Sequence, residues 1–208
     1  MRKYFSLFLL PFLLGGCNWW EFPAYVLFGK THEKVKAEYK HLEGKRVAII
    51  IAGLPAIDFE DPYARMDLAL ASAEWIRQEV KKVQFVEQEK IERFQQENLD
   101  WISMPMSEIG NKFGADRILY IELMQFTTVE PESINLVRGR VWSQVSIYEV
   151  DSPQPNVPVC ETEIQIVYPE QGPLPMSDTA LLETRQGIIV LYAQELSRKF
   201  HDHKRKIR

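Results

Sequence analysis

The stretch Val47-Ala48-Ile49-Ile50-Ile51-Ala52 decides the fold. It is six apolar residues without alternation, rich in β-branched side chains. A strand that alternates has one wet face. A strand that does not is buried on both, which is the habit of central strands in parallel sheets. Parallel neighbours need helical crossovers, so helices should follow.

They do. Asp61-Pro62 reads as the start of a helix, with Asp as cap and Pro at the first helical position. The helix is expected to run to about Val80, with Met66, Ala69, Leu70, Ala73, Ile76 and Val80 in one apolar stripe. A short strand over Val83–Val86 follows, then helices near Gln88–Glu97 and Ser107–Phe113, the latter closed by Gly114. Arg117–Thr127 reads as a long strand. Leu136–Val150 and Val157–Tyr168 are two more, joined by the Pro-rich loop 151–156 and therefore antiparallel. Symmetry about that loop sets Val141 beside Ile166 and Trp142 beside Gln165. A last helix over about Asp178–Phe200 carries Leu181, Ile188, Ile189, Tyr192 and Leu196 on one stripe. The order βαβααβββα, parallel first and antiparallel last, predicts a single-domain α/β sandwich on a mixed five-stranded sheet.

Outside this domain the N-terminus is the most informative region. Arg2 and Lys3 precede an apolar run from Tyr4 to Leu14, and Leu14-Gly15-Gly16-Cys17 closes it. About 11 apolar residues are too few to span a bilayer, which needs roughly 20. A charged start, a short apolar stretch and small residues before a cleavage point make a secretory signal. The cysteine placed directly after them makes a lipobox. The segment resembles bacterial lipoprotein signals, which implies lipidation of Cys17 as the new N-terminus. The expected organisation is a signal peptide over 1–16, a lipidated aromatic and charged tether over 17–45, the α/β domain over 46–203 and a basic tail over 204–208. Trp19, Trp20, Phe22 and Tyr25 in the tether suit either a headgroup layer or packing on the domain. Residues 30–45 read as a solvated connector, with a short edge strand at Val35–Tyr39.

Cleavage lowers Lys+Arg from 25 to 23 against 29 Asp+Glu. An acidic chain lacks the basic footprint that nucleic acid needs, so no nucleic-acid partner is expected. Once Cys17 carries lipid, Cys160 is the one remaining cysteine, which excludes an intramolecular disulfide and CxxC metal ligation. Cys160 is expected to act as a small buried hydrophobe.

The segment Ile109-Gly110-Asn111-Lys112-Phe113-Gly114-Ala115-Asp116-Arg117-Ile118-Leu119 is a helix, a Gly-Ala-Asp turn and a strand. It resembles small periplasmic lipoprotein domains related to the TolB N-terminal domain, the curli secretion lipoprotein CsgG and the penicillin-binding-protein activator LpoB. The likeness covers residues 46–200 in element order, and only the Gly-Ala-Asp turn in residues. The chain also resembles lipoproteins of planctomycetes, through the same segments plus Phe22-Pro23-Ala24-Tyr25 and Val167-Tyr168-Pro169-Glu170. These resemblances imply an envelope fold and carry no functional residues.

Catalytic patterns are lacking. There is no Gly-x-Ser-x-Gly elbow and no His-Glu-x-x-His, and His32, His41, His201 and His203 all lie at the margins of the domain. The loop Gly53–Asp61 has one glycine and three acids, which repel phosphate. Neither these acids nor His201-Asp202-His203 is expected to bind metal, and no cofactor is expected. The sequence thus predicts a non-enzyme. The candidate binding face is the second face of the hairpin sheet: Tyr120, Met124, Phe126, Arg138, Arg140, Trp142 and Tyr148. Aromatics beside Arg are typical of protein-binding hot spots. Its rival role is to lie beneath the last helix. The expected function is a lipid-anchored, periplasm-facing envelope module, in the outer membrane rather than the inner because Asn18 and not Asp follows Cys17. It would bind an envelope protein or polymer. A subunit of a soluble secretion or transport ring is the alternative, and an enzyme without a recognisable motif is a further one. A membrane pore is disfavoured, since Arg138, Arg140, Glu161 and Glu163 would face lipid.

Overall fold

In the computed structural model, which describes residues 32–206, the apolar run becomes β2 (Arg46–Gly53), with every residue from Val47 to Ala52 buried. Its two faces feed two different cores. Val47, Ile49 and Ile51 join the main core, while Ala48, Ile50 and Ala52 join a second one. Burying both faces of one strand withdraws about 1.5–3 kcal/mol of side-chain hydrophobicity per large residue from water. This makes β2 the centre of the molecule.

β2 lies between β3 (Gln84–Phe85) and β4 (Arg117–Val129), parallel to both. β5 (Leu136–Glu149) and β6 (Cys160–Tyr168) extend the sheet antiparallel. The expected pairs Val141 with Ile166 and Trp142 with Gln165 are present. The sheet has six strands rather than five, because β7 (Leu174–Pro175) also pairs with β5. Two residues carry no readable period, so β7 has no signature in the sequence.

Among the described residues five α-helices complete the mixed α/β fold. α1 (Pro55–Glu60) occupies what reads as a loop. α2 is Ala64–Glu79, and it starts after Asp61 rather than on it. The Asp61 carboxylate instead accepts from the Tyr63 amide at 3.1 Å and grips Arg185. The buried stripe of α2 is Ala64, Leu68, Ala69, Ser72 and Ile76, and Leu70 is exposed. α3 (Gln88–Glu97) and α4 (Met106–Phe113) lie in the connection from β3 to β4. Gly114 closes α4 at φ 59°, the left-handed conformation that favours glycine. α5 (Asp178–Arg198) is capped by Ser177, whose hydroxyl accepts from the Ala180 amide at 3.1 Å.

α2 and α5 pack on each other and on the main-core face of the sheet. α3 and α4 cover the opposite face only over β2, the start of β4 and the end of β5. The last helix therefore does not cover the second face of the hairpin strands. Beyond the helices that face is open, with Glu161, Glu163, Gln165 and Val167 of β6 exposed.

Residues 35–203 form one compact unit. Tyr39 and Leu42 are buried in its main core, so the stretch expected as a solvated connector is in part a wall of the domain. Lysines and glutamates mask two anchoring side chains there. In the other unit, described over 32–34 and 204–206, Arg205 donates to Glu33 at 2.9 Å. β1 (His32–Val35), which replaces the strand expected at Val35–Tyr39, pairs with β8 (His203–Lys206) in a two-stranded sheet. Residues 1–31, with the signal peptide, Cys17 and the aromatic tether, lie outside the described residues, as do 207–208.

Candidate functional site

The site is built around an irregularity in β4. Leu123 pairs with Ser143, but the next pair is Gln125 with Trp142, so Met124 is an extra residue. This is a β-bulge, which re-aims the side chains that follow it, until a second register shift between Thr127 and Val129. Strict alternation from Leu119, Ile121 and Leu123 puts Phe126 on the outer face. The bulge turns it inward, opposite Val141, where it is 2% exposed in the main core. Gln125 takes the outer position beside Trp142.

The seven candidate residues consequently separate. Phe126 lies in the core on the far side of the sheet. Tyr120 and Tyr148 pack against the second core, beside α3 and α4. Desolvation pushes both phenols up, helped by Glu122 at Tyr120 and by Glu161 at Tyr148. Arg138 donates to the carbonyls of Pro169 and Glu170, each at 3.2 Å, and ties down the chain after β6. Met124, Arg140 and Trp142 remain near the bulge. Arg140 donates twice through Nη2 to Glu130, at 2.9 and 3.0 Å. That hydrogen bond holds the Glu130 carboxyl below its ordinary value. Trp142 is 41% exposed, and its indole N–H donates to Glu163 at 2.6 Å. Gln165 donates to the same carboxylate oxygen at 2.5 Å. The ring is thus held at a fixed angle while one face stays wet.

Three depressions border the bulged stretch 124–129. The largest is a cleft of about 730 Å³ between α1 and the tip of the β4–β5 hairpin. Leu54, Ile57, Met124, Val129 and Ile134 give it apolar walls, and Glu60, Glu130 and Glu132 border it. A second, of about 300 Å³, lies between Glu60–Asp61 and Phe126–Val129. A third, of about 250 Å³, is framed by Gln125, Arg140, Trp142, Gln165 and Val167. Gln125 borders both the first and the third.

Leu54, Gln125 and Ile134 are site residues that the sequence reading missed. Two carried a signal. Leu54 sits between Gly53 and Pro55, and Ile134 sits in Pro131-Glu132-Ser133-Ile134-Asn135. Each is a large hydrophobe in a turn, where nothing periodic explains it. Ile134 is 84% exposed and Leu54 51%, and Phe59 on the adjacent α1 is 91% exposed.

Two of the three acids of the loop after β2, Asp58 and Asp61, have structural partners. Asp58 pairs with Arg65 at 2.8 Å, and Arg185 bridges Asp61 and Asp67, which ties α5 to the start of α2. Those carboxylates raise the Arg185 pKa further. Near the C-terminus, Asp202 pairs with Lys40 at 2.7 Å and accepts from the Ala37 amide, while His201 Nδ1 lies 3.0 Å from the Ser197 carbonyl. Among the described residues no group of three or more His, Cys, Asp or Glu is placed to hold a metal ion. Cys160 is half-buried against the main core, and desolvation pushes its thiol up. A raised thiol pKa makes it a poor nucleophile. What the arrangement offers is apolar contact area with fixed polar groups, which is the equipment of a binding surface.

No helix among the described residues is long and apolar enough to cross a membrane. No family model matches the chain, and no curated protein matches it. Solved structures do. One subunit of the PelC dodecamer from Paraburkholderia phytofirmans superposes with a TM-score of 0.48 at 12% identity, over 80% of this chain and 96% of that one. Lipoprotein GNA1162 from Neisseria meningitidis gives 0.43 at 13%, over 71% and 94%. Protein XCC0632 from Xanthomonas campestris gives 0.50 at 10%, over 76% of this chain and 84% of its own. At such identities the likeness concerns the path of the backbone, and the chain shares its fold with the Xanthomonas protein.

Proposed function

We propose that this protein is a lipid-anchored, periplasm-facing module of the cell envelope that binds a partner and performs no catalysis. The observation that carries the reading is the surface around the β4 bulge. Leu54 and Ile134 in the cleft, Phe59 on α1 and Trp142 at the third depression are large hydrophobes that the folded chain leaves in water. Contiguous exposed apolar surface with a polar rim marks interaction sites. Two of these side chains sit on well-fixed elements, Trp142 in the middle of β5 and Phe59 on α1. A pre-organised surface loses little entropy on binding.

The lipobox Leu14–Cys17 supplies the location, and Asn18 after the cysteine favours the outer membrane. Nothing in the site pairs a nucleophile with a base, which favours binding over chemistry. The test is photo-crosslinking in intact envelopes, with the reactive group at Ile134 or at Trp142 and a control at Lys82. One defined adduct from the first two positions, absent from the control and dependent on Cys17, is expected. Identical background at all three positions would overturn the reading.

A further inference from the structure

We infer that the cleft between α1 and the β4–β5 hairpin tip receives a peptide segment of a partner protein with an apolar anchor flanked by Lys or Arg. The inference rests on the binding reading above and specifies its partner. A volume of about 730 Å³ lies within the range of specific binding pockets, about 300–1,000 Å³. The walls are apolar, so the anchor must be. The rim sets the charge. Among the described residues no Lys, Arg or His lines the cleft, whereas Glu60, Glu130 and Glu132 do. Glu130 is neutralised by Arg140, and neighbouring Asp58 by Arg65. Glu60 and Glu132 are exposed and form no ion pair among the described residues. The nearby guanidiniums are thus already taken, and two unmatched carboxylates border an apolar trough.

Such a field attracts a cationic ligand and repels an anionic one. It therefore disfavours an anionic lipid surface, which would draw basic side chains instead. Residues 54–60 line one wall and 124–134 the other, which makes the cleft a trough between two chain segments. An extended segment suits that shape better than a compact molecule. Rim charges chiefly set the association rate and the choice of partner, and the apolar anchor sets the residence time.

The experiment uses the lipidated mature chain in nanodiscs of uncharged lipid. Two fluorescent 12-residue peptides, equal in Leu and Phe, carry either Lys or Glu at the other positions. Fluorescence polarisation should show the Lys peptide binding at least about tenfold more tightly than the Glu peptide. Glu60→Gln with Glu132→Gln should weaken the Lys peptide about tenfold, and ~0.5 M salt should weaken it similarly. Ile134→Ser should weaken both peptides. All three side chains are exposed, and thermal unfolding checks that the variants fold. Equal affinity for the two peptides, or no change in the Glu60/Glu132 variant, would overturn the inference. So would stronger binding to phosphatidylglycerol vesicles than to the Lys peptide, since the surface would then be a membrane contact. If the peptides fail while Ile134 still crosslinks a partner in envelopes, the cationic segment is wrong and the binding module stands. If both fail, both readings fall.

Discussion

The Nε of Arg117 donates to the Tyr39 hydroxyl across 2.9 Å, joining the segment before β2 to the first residue of β4. The hydroxyl in turn donates to Glu149 at 2.7 Å, and Arg117 Nη1 donates to Asp151 at 2.6 Å and to the Asp116 carbonyl at 2.8 Å. Arg117 is buried, and a buried guanidinium is stable only when its donors are matched. Tyr39 is therefore a structural partner of the sheet as well as an apolar wall.

Tyr39→Phe keeps the ring and removes the hydroxyl. The Arg117 Nε then loses its acceptor and Glu149 loses a donor in a partly buried place. A loss of about 1–3 kcal/mol is expected, read as a lower urea midpoint with an unchanged slope. Unchanged stability would mean that water replaces the hydroxyl at no cost.

Alkaline pH addresses the same residue and one other. Desolvation, aided by Glu149, pushes the Tyr39 phenol above its ordinary value, and desolvation does the same to Tyr192 despite its 2.8 Å hydrogen bond with Ser143. A phenol whose folded pKa is raised favours the neutral, folded form. Its contribution is fully present below the unfolded value of about 10 and is lost as pH rises above it. Stability should therefore fall progressively above about pH 10, and less steeply in a Tyr39→Phe, Tyr192→Phe double variant. Tyrosinate absorbance from these two rings should appear only with unfolding. Reversible ionisation of both in the folded protein near pH 10 would contradict their burial.

The sequence made some of this architecture readable and hid the rest for physical reasons. The run Val47–Ala52 is apolar at every position, so its burial on both faces could be read directly. The β5–β6 register was readable because apolar and polar residues match on both faces only when Trp142 meets Gln165. Met124 and Phe126 gave no such handle. Both are hydrophobic, so alternation looks intact whether or not a bulge shifts the phase, and alternation alone puts Phe126 on the wrong face. α1 went unseen because Pro55-Ala56-Ile57-Asp58-Phe59-Glu60 is too short to show a helical period. The cleft was lost with it, since α1 is one of its walls. Tyr39 and Leu42 were masked by the Lys and Glu around them.

Close approach of α5 to β5 gives a further prediction. A Cβ on Gly139 would run into the Ile188 and Thr184 side chains, so the helix sits directly on the strand's backbone at that point. Gly139→Ala must push α5 outward or distort β5. Overpacking of this kind costs about 1–3 kcal/mol. A calorimetric melt should show a transition lowered by several degrees, since about 1 kcal/mol shifts a domain of this size by roughly 2–4 °C. An unshifted melt would mean that α5 rides higher than the structure places it.

The bulge itself can be tested by a pair of truncations. With Met124 as the extra residue, Phe126 fills the main core and Trp142 stands on the outer face. Phe126→Ala then opens a cavity among Val141, Ile57 and their neighbours and should cost about 3–5 kcal/mol. Trp142→Ala removes a half-wet ring and one hydrogen bond to an exposed carboxylate, and should cost no more than about 1 kcal/mol. Partner capture should show the opposite order. The Trp142 variant should fold normally and weaken the Ile134 crosslink in envelopes, because the proposed partner reaches from the cleft past Gln125 to the Trp142 depression. Without the bulge, Phe126 would lie beside Trp142, and the two truncations would cost similar, small amounts in a urea melt. Near-equal destabilisation would therefore overturn the register of β4, and with it the placement of the cleft.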